Sequence, residues 1–145
     1  MTSLVDNIYF TDDFADDAAD LLAKIGNTDF TESQGFSGDN TKRGECKYAD
    51  ETAKAIANSF DLKLKSYFAI KTESRYFVAP HHDQDGSLEK VAVLYLSGTG
   101  RLIFPGEGRE LETKAGRLVI FSPELVHYAP TQKDGRYFVR LDFHK

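Results

Sequence analysis

Val91-Ala92-Val93-Leu94-Tyr95-Leu96-Ser97-Gly98-Thr99-Gly100-Arg101-Leu102-Ile103-Phe104-Pro105-Gly106-Glu107-Gly108 decides the fold class of this 145-residue chain. Its opening run is almost wholly apolar and rich in β-branched residues, as a central strand buried on both faces must be. Ser97-Gly98-Thr99-Gly100 breaks the run with turn chemistry, residues 101–104 resume a short strand, and Pro105-Gly106-Glu107-Gly108 breaks it again. The rhythm continues on both sides. Residues 67–70, 76–79, 109–113, 117–121 and 137–143 are short and rich in aromatic or β-branched types, with Asp85-Gly86, Ala115-Gly116 and Asp134-Gly135 as turns between strands.

Upstream the period changes. Thr11-Asp12-Asp13 is an N-cap cluster whose carboxylates meet the positive end of a helix. Phe14, Ala18, Leu21, Leu22 and Ile25 follow at helical spacing, and Gly26 stands where a helix C-terminal stop is expected. A second helix is predicted over 49–60, with Ala53, Ile56, Ala57 and Phe60 on one face. Residues 31–47 between them are polar and Gly-rich and read as a long loop or irregular hairpin of the kind that forms lids. Helices followed by many short strands predict an α+β, mainly β domain, a β-sandwich or jelly roll. The expected organisation is one domain over 1–145, a helical part (1–61) packed on a β-core (62–145).

Composition excludes several classes. A net charge of −5 with no basic stripe disfavours a nucleic-acid partner, because phosphate neutralisation needs clustered Lys and Arg. The acidic stretch 12–20 reads as a solvated helix face. Cys46 is the only cysteine, so no intrachain disulfide is possible. No apolar run approaches the roughly 18 residues of a membrane helix. Met1-Thr2-Ser3-Leu4-Val5-Asp6 lacks a basic region followed by an apolar stretch, so no secretory signal and no membrane partner are expected. The expected compartment is the reducing cytoplasm.

The chemistry sits in His81-His82-Asp83, His127 and Arg136. Side chains alternate along a strand, so His81 and Asp83 point one way and His82 the other. Pro80 removes a ladder donor and places the strand end at a sheet mouth. With His127 from a later strand or loop, His81 and Asp83 form the two-histidine, one-carboxylate set that holds Fe(II) on one face and leaves positions open for a co-substrate and O2. The bland reading makes each histidine a hydrogen-bonded or surface residue. Pairing His82 with Asp85 instead breaks the strand alternation. Arg136 and Arg140 share a strand face, and if Tyr137, Val139, Leu141 and Phe143 pack against the helices, both arginines point inward. An inward arginine needs an anion. Arg136 is the candidate for a bidentate carboxylate pair. Tyr95, on the central strand, is the candidate to share that carboxylate through its hydroxyl; the bland reading is a core tyrosine bonded to backbone.

Residues 66–143 resemble the Fe(II)- and 2-oxoglutarate-dependent oxygenases, within them the prolyl 4-hydroxylase-like group. The resemblance rests on Ala79-Pro80-His81-His82-Asp83, Val91-Ala92-Val93-Leu94-Tyr95-Leu96-Ser97, Gly100-Arg101-Leu102-Ile103-Phe104-Pro105, Gly116-Arg117-Leu118-Val119-Ile120-Phe121, His127 and Gly135-Arg136-Tyr137, in the family's order. It implies a double-stranded β-helix (jelly roll, cupin-like) flanked by two N-terminal helices. It implies that His81, Asp83 and His127 are metal ligands for Fe(II) and catalytic. Arg136 and Tyr95 would bind the distal carboxylate of 2-oxoglutarate, with O2 as co-substrate and ascorbate as a possible reductant. The reaction implied is hydroxylation of a C–H bond, with a prolyl residue in a peptide or protein as substrate.

This chain departs from the family pattern at two places. The Gly100–Phe104 stretch lacks the usual paired glycines with an acidic residue. Arg140 stands where the family more often has a small or uncharged residue, and it is the candidate for holding a substrate carboxylate. The alternatives are a hydroxylase of a free amino acid or small metabolite and, in a different class, a non-oxygenase cupin-like metal-binding protein or a purely structural β-sandwich. A demethylase acting on alkylated nucleic acid is disfavoured by the charge.

Overall fold

The computed structural model describes residues 7–28, 30–32, 41–83 and 86–145. The strands are β1 (Ile8–Thr11), β2 (Thr31–Glu32), β3 (Thr41–Gly44), β4 (Lys63–Thr72), β5 (Val78–His81), β6 (Leu88–Tyr95), β7 (Thr99–Phe104), β8 (Arg109–Lys114), β9 (Leu118–Phe121), β10 (His127–Ala129) and β11 (Tyr137–His144). The helices are α1 (Ala15–Lys24) and α2 (Asp50–Ser59). A seven-stranded sheet runs β1-β9-β6-β11-β4-β3-β2 and a four-stranded sheet runs β5-β10-β7-β8. All pairings are antiparallel. This is the mainly β, helix-flanked double-stranded β-helix expected from the sequence.

Period-two alternation sorts the strands of the large sheet into two cores. Ala92, Leu94, Leu118, Ile120, Val139, Leu141 and Phe143 face outward and pack with Ala18, Leu21, Ala53, Ile56 and Ala57 of the two helices. Val91, Tyr95, Val119, Phe121 and Phe138 face inward and pack with Leu102, Phe104 and Leu111 of the small sheet. Both faces of β9 and of residues 91–95 of β6 are therefore largely buried, which is why these stretches read as nearly continuous apolar runs. The candidate site lies on the inward side, between the sheets.

Several details differ from the expectations. The first 61 residues are not helical alone, since β1 pairs with β9, and β2 and β3 extend the large sheet beyond β4. Ile8-Tyr9-Phe10 is too short for its alternation to stand out, and partner strands define it. Residues 31–47 form an irregular hairpin at their ends, Thr31 opposite Arg43 and Glu32 opposite Lys42; residues 33–40, which would carry a lid, lie outside the described residues. Gly26 is not a left-handed helix stop. It lies inside a 3-10 turn, Ile25–Asn27, that continues α1. The Thr11 hydroxyl accepts from the Asp13 N–H just before the helix, but Phe14 is the N-cap residue and makes no side-chain cap. Asp12 instead accepts a two-pronged contact from Arg117 at 2.9 and 3.0 Å, tying the start of α1 to the sheet. Among the described residues, no helix is long and apolar enough to cross a membrane.

Candidate functional site

β5 and β10 bring the metal-ligand candidates together by register. His81 ends β5 and lies directly opposite His127, the first residue of β10. Cross-strand partners share a sheet face with Cβ atoms about 5 Å apart, and the two imidazole centroids are 4.3 Å apart. Asp83, two residues past His81, keeps the same side, and its backbone N–H donates to the Pro123 carbonyl at 2.9 Å. Pro80 costs the ladder nothing because β5 is the edge of its sheet. His82 is exposed, as the alternation requires, and Asp85 of the alternative pairing lies outside the described residues.

The three side chains point their donor atoms at one another. Asp83 Oδ1 is 3.4 Å from His81 Nε2, and Asp83 Oδ2 is 3.3 Å from His127 Nε2. One donor atom from each residue falls within 4.8 Å of the others. Cis ligands on a cation with ~2.1 Å bonds stand roughly 3 Å apart, so the two His–Asp distances are close to that spacing and the set can close on a cation. The tautomers also suit a cation. His81 Nδ1 lies 2.7 Å from the Ala79 carbonyl and His127 Nδ1 lies 3.0 Å from the Leu125 carbonyl. A carbonyl only accepts, so each Nδ1 carries the hydrogen and each Nε2 presents a lone pair. Phe121 and Phe104 wall His127, at 4.7 and 5.8 Å between ring centroids.

Electrostatics hold the set in its metal-ready ionisation. Burial pushes the His127 imidazole below its ordinary value, partly offset by the Asp83 charge. Burial acts to raise the Asp83 carboxyl, but its contacts with His81, Arg140 and His127 outweigh it, leaving it below the usual carboxylate range. Both shifts make the unfolded chain bind more protons than the folded one, so folded stability falls as pH falls. For His127 the loss begins below its ordinary value of 6.5, and for Asp83 it continues as pH drops through the lowered folded value. Metal-free protein is expected to melt progressively earlier below pH 6.5. His127→Leu is expected to flatten that slope between pH 6.5 and pH 5 in thermal unfolding, and an unchanged slope contradicts the assignment.

Arg136 enters the same inter-sheet space just before β11. Its backbone is zipped to Thr72 at the end of β4: the Arg136 carbonyl accepts from the Thr72 N–H and hydroxyl, and its N–H donates to the Thr72 hydroxyl at 2.8 Å. Gly135 permits this approach, because a Cβ there would meet the Thr72 carbonyl. Gly98, at φ +77°, leaves room for the Arg136 stem, since a Cβ there would lie 2.9 Å from the Arg136 Cβ. The guanidinium is 4.5 Å from the Tyr95 ring centre and 5.5 Å from that of Tyr76, and its Nη1 donates to the Thr113 hydroxyl at 2.7 Å. Arg136 is 4% exposed, its Nε has no hydrogen-bond partner, and among the described residues no carboxylate pairs with it.

Sequence reasoning missed Tyr76 and Thr113 in this pocket. The Tyr76 hydroxyl is also buried and makes no full hydrogen bond, although it lies within reach of Thr72 and Arg136. Burial pushes the Tyr76 hydroxyl up to about 12 and raises that of Tyr95, so both remain protonated donors. A buried cation and a buried hydroxyl side by side, each with unused donor capacity, suit an anion. Arg140, two residues beyond Phe138 on β11, also turns inward as expected, and its Nη1 lies 3.3 Å from Asp83 Oδ1.

No protein-family model and no curated protein matches the chain by sequence. Solved structures do match. The Pseudomonas putida prolyl-4-hydroxylase superposes with TM-score 0.71 at 20% identity, covering 97% of this chain and 94% of that one. A Burkholderia pseudomallei oxidoreductase of the 2OG-Fe(II) oxygenase family gives 0.74 at 10% identity over 95% and 84%. A Trichoplax adhaerens prolyl hydroxylase, in complex with a peptide fragment of the hypoxia inducible factor oxygen degradation domain, gives 0.71 at 13% identity over 97% and 84%. The chain therefore has the fold of the 2-oxoglutarate- and Fe(II)-dependent oxygenases, in the form seen in prolyl hydroxylases.

Proposed function

We propose that the chain is an Fe(II)- and 2-oxoglutarate-dependent dioxygenase that hydroxylates a C–H bond, with a prolyl residue in a peptide or protein as substrate. The observation that carries the reading is the pairing, in one inter-sheet space, of a His-Asp-His donor set with a buried arginine that has no carboxylate partner among the described residues. Either feature alone has an ordinary structural explanation. Together they are complementary to a metal and to a co-substrate with a distal carboxylate.

On this reading His81 and His127 offer Nε2 lone pairs and Asp83 one carboxylate charge, on one side of the metal. Fe(II) held there would supply the coupling of 2-oxoglutarate oxidative decarboxylation by O2, to succinate and CO2, with insertion of the second oxygen atom into the substrate C–H bond. Arg136 fixes the distal carboxylate, with hydrogen bonds from Tyr95 and Tyr76, and so sets which end of the co-substrate faces the metal. The rings of Phe104 and Phe121 exclude water around His127. The likeness to a prolyl hydroxylase holding a peptide supports a peptide substrate.

The substrate is tested by incubating iron-loaded protein with 2-oxoglutarate and a panel of proline-containing peptides alongside free amino acids, read by mass spectrometry. The expected result is one added oxygen on a prolyl residue of at least one peptide and enhanced succinate formation with that peptide. An added oxygen on free amino acids alone moves the substrate to the small-metabolite class.

A further inference from the structure

Arg140 does not stand open to a substrate carboxylate. Its Nε donates to Asp142 Oδ1 at 2.9 Å and its Nη1 to Asp83 Oδ1 at 3.3 Å. An incoming carboxylate, the partner expected for Arg140 from sequence, would have to displace one of two already there. The alternation of β11 puts Phe138, Arg140 and Asp142 on the inward face, and Arg140 sits between Val93 of β6 and Phe68 of β4 in the middle of the large sheet. A cation there is costly without a compensating anion. Asp142, two residues on and on the same face, supplies that anion, with both side chains 15% exposed. The contact to Asp83 is additional to this neutral pair.

We infer that Arg140 is a positioning residue that clamps the Asp83 carboxylate, so that it presents one oxygen to the metal in a fixed orientation. The inference rests on the proposed metal site. Asp83 Oδ1 is shared by Arg140 Nη1 and His81 Nε2, while Oδ2 faces His127 Nε2. A hydrogen bond on one oxygen stops the carboxylate turning about its own bond. It also disfavours two-oxygen chelation, which would use up a position needed by a co-substrate. Asp142 offsets the charge of Arg140, so the effect on the metal is one of orientation more than of repulsion. The planar guanidinium suits the task because its fork directs separate N–H groups at two carboxylates; a lysine is a point charge and can serve one.

The test is titration of the full, metal-stripped protein with Co(II), reading both affinity and the visible absorption of the bound ion, whose position and intensity report ligand number. Losing an outer partner of a metal ligand typically costs about 10–100-fold in affinity. Arg140→Met is expected to bind Co(II) weaker by that factor, with an altered spectrum and no loss of cooperative melting, and Arg140→Lys to recover only part of it. Wild-type affinity and spectrum in Arg140→Met overturn the assignment. If Arg140→Met fails to fold, Asp142→Ala, which keeps the guanidinium but removes its acceptor two residues on, carries the same comparison, with weaker Co(II) binding and an altered spectrum expected. Binding that is abolished by His127→Ala but indifferent to Arg140 and Asp142 sinks the clamp alone. A wild-type protein that takes up no Co(II) sinks the metal site and the clamp with it.

Discussion

Asp83→Ala is expected to abolish divalent-metal binding and, with it, iron-dependent succinate formation. The carboxylate is the only anion the donor set contains, and it is the common neighbour of His81 Nε2, His127 Nε2 and Arg140 Nη1. Its removal takes away one ligand and the negative charge that balances the cation, so the loss should exceed the ~10–100-fold typical of an outer partner. The fold should survive. Arg140 keeps Asp142 at 2.9 Å, and both histidines keep the carbonyl acceptors that set their tautomers. His127, already held neutral by burial, loses the group that opposed that shift. Equilibrium dialysis against Fe(II) or Co(II), paired with a melting curve, reads both halves. Retained binding at wild-type affinity contradicts the ligand assignment.

Arg136→Met is expected to separate co-substrate binding from stability. Breaking a buried, hydrogen-bonded charge pair by truncating one partner costs about 2–5 kcal/mol. At ~1.4 kcal/mol per tenfold, 2-oxoglutarate affinity should fall roughly thirtyfold to several thousandfold. The ligand-free protein should behave oppositely. Without an anion, Arg136 is a 4% exposed cation whose Nε has no partner, and a methionine of similar length removes that burden. Its melting temperature without ligand should hold or rise, while the stabilisation added by 2-oxoglutarate disappears. Metal binding should persist, because Arg136 makes no contact with the donor set. Undiminished 2-oxoglutarate affinity in the variant would rule out Arg136 as the carboxylate partner.

The donor set was legible because its rule is local. Spacing of two on an extended chain puts His81 and Asp83 on one face whatever the rest of the fold does. The predicted strand over 76–79 is observed at Val78–His81. A shift of two leaves the faces unchanged, so the error cost nothing at the site. The inward turn of Arg136 and Arg140 followed from the same alternation along β11, since Val139, Leu141 and Phe143 do pack on the helices. What was not legible depends on pairing between distant segments. β10 is three residues, defined by His127 opposite His81 and Tyr128 opposite Ile103, and three residues show no period. Tyr76 lies just ahead of β5, buried and aimed at Arg136, where an aromatic residue in a strand-rich stretch reads as ordinary core. Thr113 had a signal: it alternates with Leu111 on the inward face of β8. The partners of Arg140 lay at two different distances in sequence. Asp142 was visible at a spacing of two, and Asp83 only through the meeting of the two sheets.

The most direct measurement of the central claim is 2-oxoglutarate consumption matched to succinate release, by purified protein with Fe(II) and ascorbate under air. The expected result is stoichiometric succinate that requires iron and oxygen, vanishes in His127→Ala, and is lost in Arg136→Met except at high 2-oxoglutarate. Iron bound at the His-Asp-His set, with no succinate formed and no change at the metal on adding 2-oxoglutarate, contradicts the claim and leaves a non-oxygenase metal-binding protein on the same fold.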